Sequence, residues 1–125
     1  MTSLQDLQFN KVLLVEQKQT TLVVTPAGDS VGFRDADIQQ ELRLLLSLLD
    51  GPDFNNVIVD LSGANYFGTT IIGCITGLGR KTEEMGGRLV VCNASADMQA
   101  VMKVMHLDQR WPQFDSQRAA MEVLK

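Results

Sequence analysis

Apolar and polar positions along this chain alternate between the period of a strand and the period of a helix. Val12 to Val15 is an apolar run, Gln17-Lys18-Gln19 a polar stretch placed to turn it, and Thr20 to Thr25 a second run rich in β-branched residues, ended by Pro26-Ala27-Gly28-Asp29. The pattern predicts an opening hairpin with its first strand at a sheet edge. From Asp35 to Asp50 the spacing becomes helical: Ile38, Leu42, Leu45, Leu46 and Leu49 form one stripe, Asp35 or Asp37 suits the first turn, and Gly51-Pro52 stops the helix.

Val57-Ile58-Val59, closed by Asp60, reads as a strand buried on both faces. Ile71, Cys74, Ile75 and Leu78 then follow the i, i+3, i+4, i+7 rule of an amphipathic helix that opens at Thr69-Thr70 and ends at Gly86-Gly87. Leu89 to Cys92 is a further buried strand turning at Asn93, and Met98, Val101, Met102 and Met105 mark a third helix whose methionines read as core. Trp111 to Phe114 suits a short last strand, and Ser116 to Leu124 a closing helix capped by Ser116. Strands alternating with helices imply a parallel core and right-handed crossovers. The prediction is a single α/β domain over residues 1–125: one small mixed sheet, opening hairpin then parallel strands, with about four helices packed against it.

Composition narrows the function. The chain has 125 residues, 45% of them hydrophobic, enough for one core without disulfides or a metal staple. Fifteen acids against eleven Lys and Arg give a net charge of -4 and a pI of 4.8, and no basic cluster occurs, which argues against a nucleic-acid partner. Cys74 and Cys92 stand far apart in apolar segments, with no histidine nearby, and read as buried thiols of a reducing compartment rather than metal ligands. The first residues lack the pattern of a signal peptide. The longest uncharged run, Leu61 to Gly79, is too rich in Gly, Ser, Asn and Thr to insert in a membrane. A cytoplasmic protein is expected.

In open α/β sheets, chemistry gathers beyond the carboxyl ends of the strands. Here that is the loop from Asp60 to Thr70, which carries Asp60, Ser62, Asn65, Tyr66, Phe67, Gly68, Thr69 and Thr70 ahead of a helix N-terminus that favours anions. An enzyme site is poorly supported. The sole histidine, His106, lies beside the Met-rich helix, where it reads as a packing or cap residue, and no phosphate-binding loop, nucleophile elbow or useful pair of acids occurs. No cofactor or metal is called for. Thr69 and Thr70 also suit simple helix capping, and Asp60 suits a loop anchor accepting backbone N–H groups.

These segments, taken in order, resemble the STAS family (sulfate transporter and anti-sigma factor antagonist domains). An apolar strand ends in Asp60-Leu61-Ser62, then come Ala64-Asn65-Tyr66-Phe67 and a hydroxyl pair opening a helix. Gly86-Gly87-Arg88-Leu89-Val90-Val91-Cys92-Asn93 is similar to the family's Gly-Gly-x-Leu-x-Leu-x-Asn, and Val101 through Leu107-Asp108 to its segment ending in Gly-Leu-Asp. The resemblance implies a non-enzymatic regulator, an anti-sigma factor antagonist whose partner is an anti-sigma factor of the protein-kinase type. That kinase phosphorylates a hydroxyl at the start of the second helix, and a Ser/Thr phosphatase restores it.

The family's Asp-Ser-Ser/Thr-Gly falls here on Gly68, Thr69, Thr70 and Ile71, which makes Thr70 the acceptor and Thr69 its neighbour. The expected partner surface is Asp60, Ser62, Asn65, Tyr66, Phe67, Gly68 and Ile71. Gly68 replaces the family's acid and Ile71 its glycine, putting a β-branched side chain where a partner would approach. Three alternatives stay open: a scaffold independent of phosphorylation, a transporter accessory subunit, and a small-molecule or lipid-binding domain. Homo-oligomerisation is open as well.

Overall fold

The computed structural model describes residues 2–27, 35–64 and 69–124, and within the helices the side chains of Asp35 and Thr69 are also left out. Among the described residues five strands form one sheet in the order β1-β2-β3-β4-β5: β1 (Leu13–Lys18), β2 (Thr21–Pro26), β3 (Asn56–Asp60), β4 (Leu89–Cys92) and β5 (Gln113–Phe114). The β1-β2 pair is antiparallel and the other three are parallel, the mixed sheet that the pattern predicts. The helices are α1 (Asp35–Leu49), α2 (Thr69–Glu84), α3 (Ala96–Val104) and α4 (Gln117–Leu124), with 3-10 turns at Leu4–Leu7 and Leu107–Gln109.

Side-chain alternation along the central strands divides the core in two. Leu22 and Val24, Val57 and Val59, Leu89 and Val91 face the larger core, built with Ile38, Leu42, Leu45 and Leu49 of α1, Ile71, Cys74, Ile75 and Leu78 of α2, and Met98 and Met102 of α3. Val23, Ile58, Val90 and Cys92 point the other way, onto Ala120 of α4, with Phe114, Met121 and Leu124 around them. Each aliphatic side chain buried this way contributes about 1.5–3 kcal/mol. The continuous apolar runs of β3 and β4 therefore mean what they predict: helices cover both faces.

The opening strand is longer than its apolar stretch. β1 continues through Gln17 to Lys18, and the turn falls one residue later, on Gln19 and Thr20, with Gln19 at φ 59. A two-residue hairpin loop demands that positive φ. Glu41 of α1 fixes the entry to the strand, its carboxylate accepting the backbone N–H of Lys11 (3.0 Å), Val12 (3.0 Å) and Leu13 (2.9 Å).

α2 ends in a Schellman motif. The N–H of Gly86, at φ 80, donates to Glu83, and that of Gly87 to Thr82. Gly87 then passes so close to β3 that a Cβ there would overlap the Asn55 carbonyl oxygen. Ser95 caps α3 through Met98 N–H (3.2 Å), and Ser116 caps α4 through Ala119 N–H (3.1 Å), as expected of Ser116.

Two expectations change here. Met105 is 47% exposed, not core, because α3 ends at Val104 and His106, at φ 60, turns the chain away. Trp111 is buried ahead of the last strand, which comprises only Gln113 and Phe114.

Candidate functional site

The carboxyl ends of β2, β3 and β4 meet where β3 gives way to the loop toward α2. Asp60 is the last residue of β3 and shares the face of Ile58, so its side chain lies on the α4 side of the sheet, 4% exposed. Oδ1 of its carboxylate accepts Ser62 N–H at 2.9 Å, an Asx-type turn, and Asn93 Nδ2 at 3.1 Å. Oδ2 accepts Nε2 of Gln117, the first residue of α4, at 2.6 Å. The amide oxygen of Gln117 accepts Lys18 Nζ at 2.7 Å, extending the chain of bonds to the edge strand.

Burial alone would raise the Asp60 pKa. The hydrogen bonds from Gln117, from Ser62 and from Asn93 together outweigh it and hold the carboxyl below its ordinary value. The loop beyond runs close against the end of β2: a Cβ on Gly63 would stand 3.3 Å from the Pro26 carbonyl oxygen. Asn93 reaches Asp60 from a backbone at φ 60, just past β4.

Asp60 is thus the anchor of its loop, and Ser62 is exposed beside it. Thr70 lies in the first turn of α2, partly exposed. Asn65, Tyr66, Phe67 and Gly68 lie outside the described residues, as does the side chain of Thr69. Ile71 needs correction as a surface contact. It is 2% exposed, its side chain packed in the larger core, because it shares the helical phase of Cys74, Ile75 and Leu78. The position that follows the phase of Thr70 outward is Gly73, exposed and with open space where a Cβ would stand.

Sequence reasoning missed Gln117 and Asn93 as partners of Asp60, and Lys18 as the partner of Gln117. Asn93 was in view as a turn residue of a resembling segment. Gln117 and Lys18 gave no local signal, being 57 and 99 residues from their partners, Asp60 and Gln117 respectively.

The remaining reactive side chains are quiet. Burial pushes the Cys74 thiol up to about 11. Burial, then the Asp60 charge, pushes Cys92 up to about 12 against the lowering effect of Lys18. His106 is exposed and makes no side-chain cap; its backbone supplies the left-handed turn, at the position where the family's segment has glycine. Among the described residues no group of His, Cys, Asp and Glu could hold a metal ion, and no helix is long and apolar enough to cross a membrane.

Comparison with solved structures shows the same architecture repeatedly. An anti-sigma-factor antagonist (STAS) domain protein from Planctomyces limnophilus superposes with a TM-score of 0.74 at 21% identity, over 91% of this chain and 98% of that one. The anti-sigma factor antagonist SpoIIAA in its unphosphorylated form gives 0.73 at 16% identity, over 90% and 96%. The Bacillus cell fate determinant SpoIIAA in the phosphorylated form gives 0.70 at 17% identity, over 90% and 99%. No curated protein matches by sequence search. The family model of the STAS domain matches residues 12–120, from just before β1 into α4, and the chain belongs to that family.

Proposed function

We propose that this chain is a non-enzymatic regulator of the anti-sigma factor antagonist type, which binds an anti-sigma factor of the protein-kinase class in the cytoplasm. Its working surface is the loop after β3 together with the first turn of α2. Thr70 is the phosphoacceptor in this reading, Thr69 its neighbour, and a Ser/Thr phosphatase resets the hydroxyl.

The observation that carries the reading is the setting of Thr70. It stands partly exposed in the first turn of a sixteen-residue helix, directly after a loop whose start is pinned by Asp60. The dipole of a helix N-terminus favours a phosphate's added charge of about -1.5 to -2, so the modified domain stays folded. The penalty falls on the partner, which must desolvate the phosphate or oppose it. The likeness to SpoIIAA, whose fold is recorded in both phosphorylated and unphosphorylated forms, fits a switch of surface charge.

The inward direction of Ile71 bears on the same point. A residue bulkier than the family's glycine need not obstruct the partner when its side chain is in the core, and Gly73 keeps the outer face of that turn low.

The test is a paired capture from lysate of the source cell, with the unmodified protein and Thr70→Glu as baits, read by mass spectrometry. A kinase-type anti-sigma factor retained by the first bait and lost with the second supports the switch. Retention of the same partner by both refutes the switch and leaves a phosphorylation-independent scaffold. Peptide mapping of the protein purified from its own cell should place any phosphate on Thr70.

A further inference from the structure

At the amino end of β4, opposite the end that carries Asp60, a groove of about 220 Å3 is lined by Gly79, Glu83, Arg88, Leu89, Arg110 and Trp111. Trp111 is 3% exposed, yet its indole Nε1 has no hydrogen-bond partner among the described residues. No fully buried side-chain donor there is left unpaired, so this N–H must open to the groove. Gly79 leaves room for the indole, since a Cβ at that position would stand 3.3 Å from Nε1.

Arg88 and Arg110 line the same groove from exposed positions, and among the described residues neither forms an ion pair. Glu83 is the one acid in the lining, leaving one net positive charge in a chain that carries -4 overall. Two guanidinium forks and an unbonded indole N–H are all donors. They match an oxyanion with several terminal oxygens, and guanidinium suits phosphate in charge and in fork geometry.

We propose that this groove binds a phosphoryl group, as free phosphate or as the head of a small phosphomonoester. The apolar side chains of Leu89 and Trp111 would flank the ester. The site is separate from the loop after β3 and does not depend on the regulatory reading of that loop.

Trp111 is the chain's sole tryptophan, so its fluorescence reports this groove directly. The 125-residue chain is titrated with inorganic phosphate and with glycerol phosphate at constant ionic strength, chloride serving as the control. The expected result is a saturable change in emission, absent with chloride. Arg88→Gln and Arg110→Gln should each weaken it about tenfold or more, the loss expected for a hydrogen bond to a charged group.

Both arginines are exposed, so the variants should stay folded, which circular dichroism checks. Equal affinity for the two probes identifies the free ion as ligand, and tighter glycerol phosphate identifies an ester. A response no different from chloride overturns the proposal, as does saturation unchanged in the double variant.

Discussion

Gln117 Nε2 donates to Asp60 Oδ2 across 2.6 Å, joining the first residue of α4 to the last residue of β3. One carboxylate thereby holds the helix that covers one face of the sheet and the loop that leads to the helix on the other.

Removing that carboxylate should loosen both. Asp60→Ala leaves the Gln117 and Asn93 amides and Ser62 N–H without their acceptor, and is expected to cost about 2–4 kcal/mol; Gln117→Ala should cost about 1 kcal/mol. Urea midpoints measure both. The pH dependence has a fixed sign. With the Asp60 pKa lower folded than unfolded, the native state binds fewer protons, so the stabilisation is complete above the ordinary carboxylate value of 3.8 and is lost as pH falls through the folded value. Asp60→Asn should flatten that acid limb and leave the rest of the profile.

Three glycines should respond in three different ways. At Gly87 a methyl would overlap the Asn55 carbonyl, and Gly87→Ala is expected to cost about 3 kcal/mol or to prevent folding. Gly86→Ala meets no atom but strains a φ of 80, for about 1 kcal/mol. Gly73→Ala, exposed within α2 with open space around it, should stabilise by about 0.5–1 kcal/mol. Thermal and urea unfolding of the three variants gives the ranking, and a destabilised Gly73→Ala would contradict the packing described.

Glu41 concentrates three backbone hydrogen bonds on one carboxylate. Its replacement by Ala should cost about 2–3 kcal/mol, and amide exchange should quicken first at Lys11, Val12 and Leu13. Uniform acceleration across the sheet would show instead that these bonds are not a local clasp.

How far this was legible in the sequence depends on the range of the interaction. β3, β4 and the buried faces of α1 and α2 follow from spacing alone, because a strand or helix that packs on a core must place apolar residues at its own period. Ile71 was misjudged only where the family motif was set above that periodicity, which already put it in line with Cys74 and Ile75. The end of β1 was hidden because Glu16 and Gln17 are exposed on an edge strand, where polar residues do not interrupt pairing. Met105 was misread because a helix's last turn is set by the backbone of the residue that ends it, here His106, not by the apolar repeat. The distant partners of Asp60 come from just past β4 and from α4, with Lys18 of β1 bonded in turn to Gln117, and no local pattern announces contacts that exist only once the sheet is assembled.

The division of the core has a kinetic consequence. Cys92 belongs to the small cluster under α4, whereas Cys74 belongs to the large one under α2. Detaching eight residues of α4 is enough to uncover Cys92, but reaching Cys74 requires parting α2 from the sheet, close to global unfolding. With a thiol reagent under native conditions, Cys92 should react before Cys74 even though its folded pKa of about 12 is the higher, because each thiol is attacked only while its cover is off. The two sulfurs thus act as separate clocks, one timing the departure of the last helix and the other the lifetime of the whole fold.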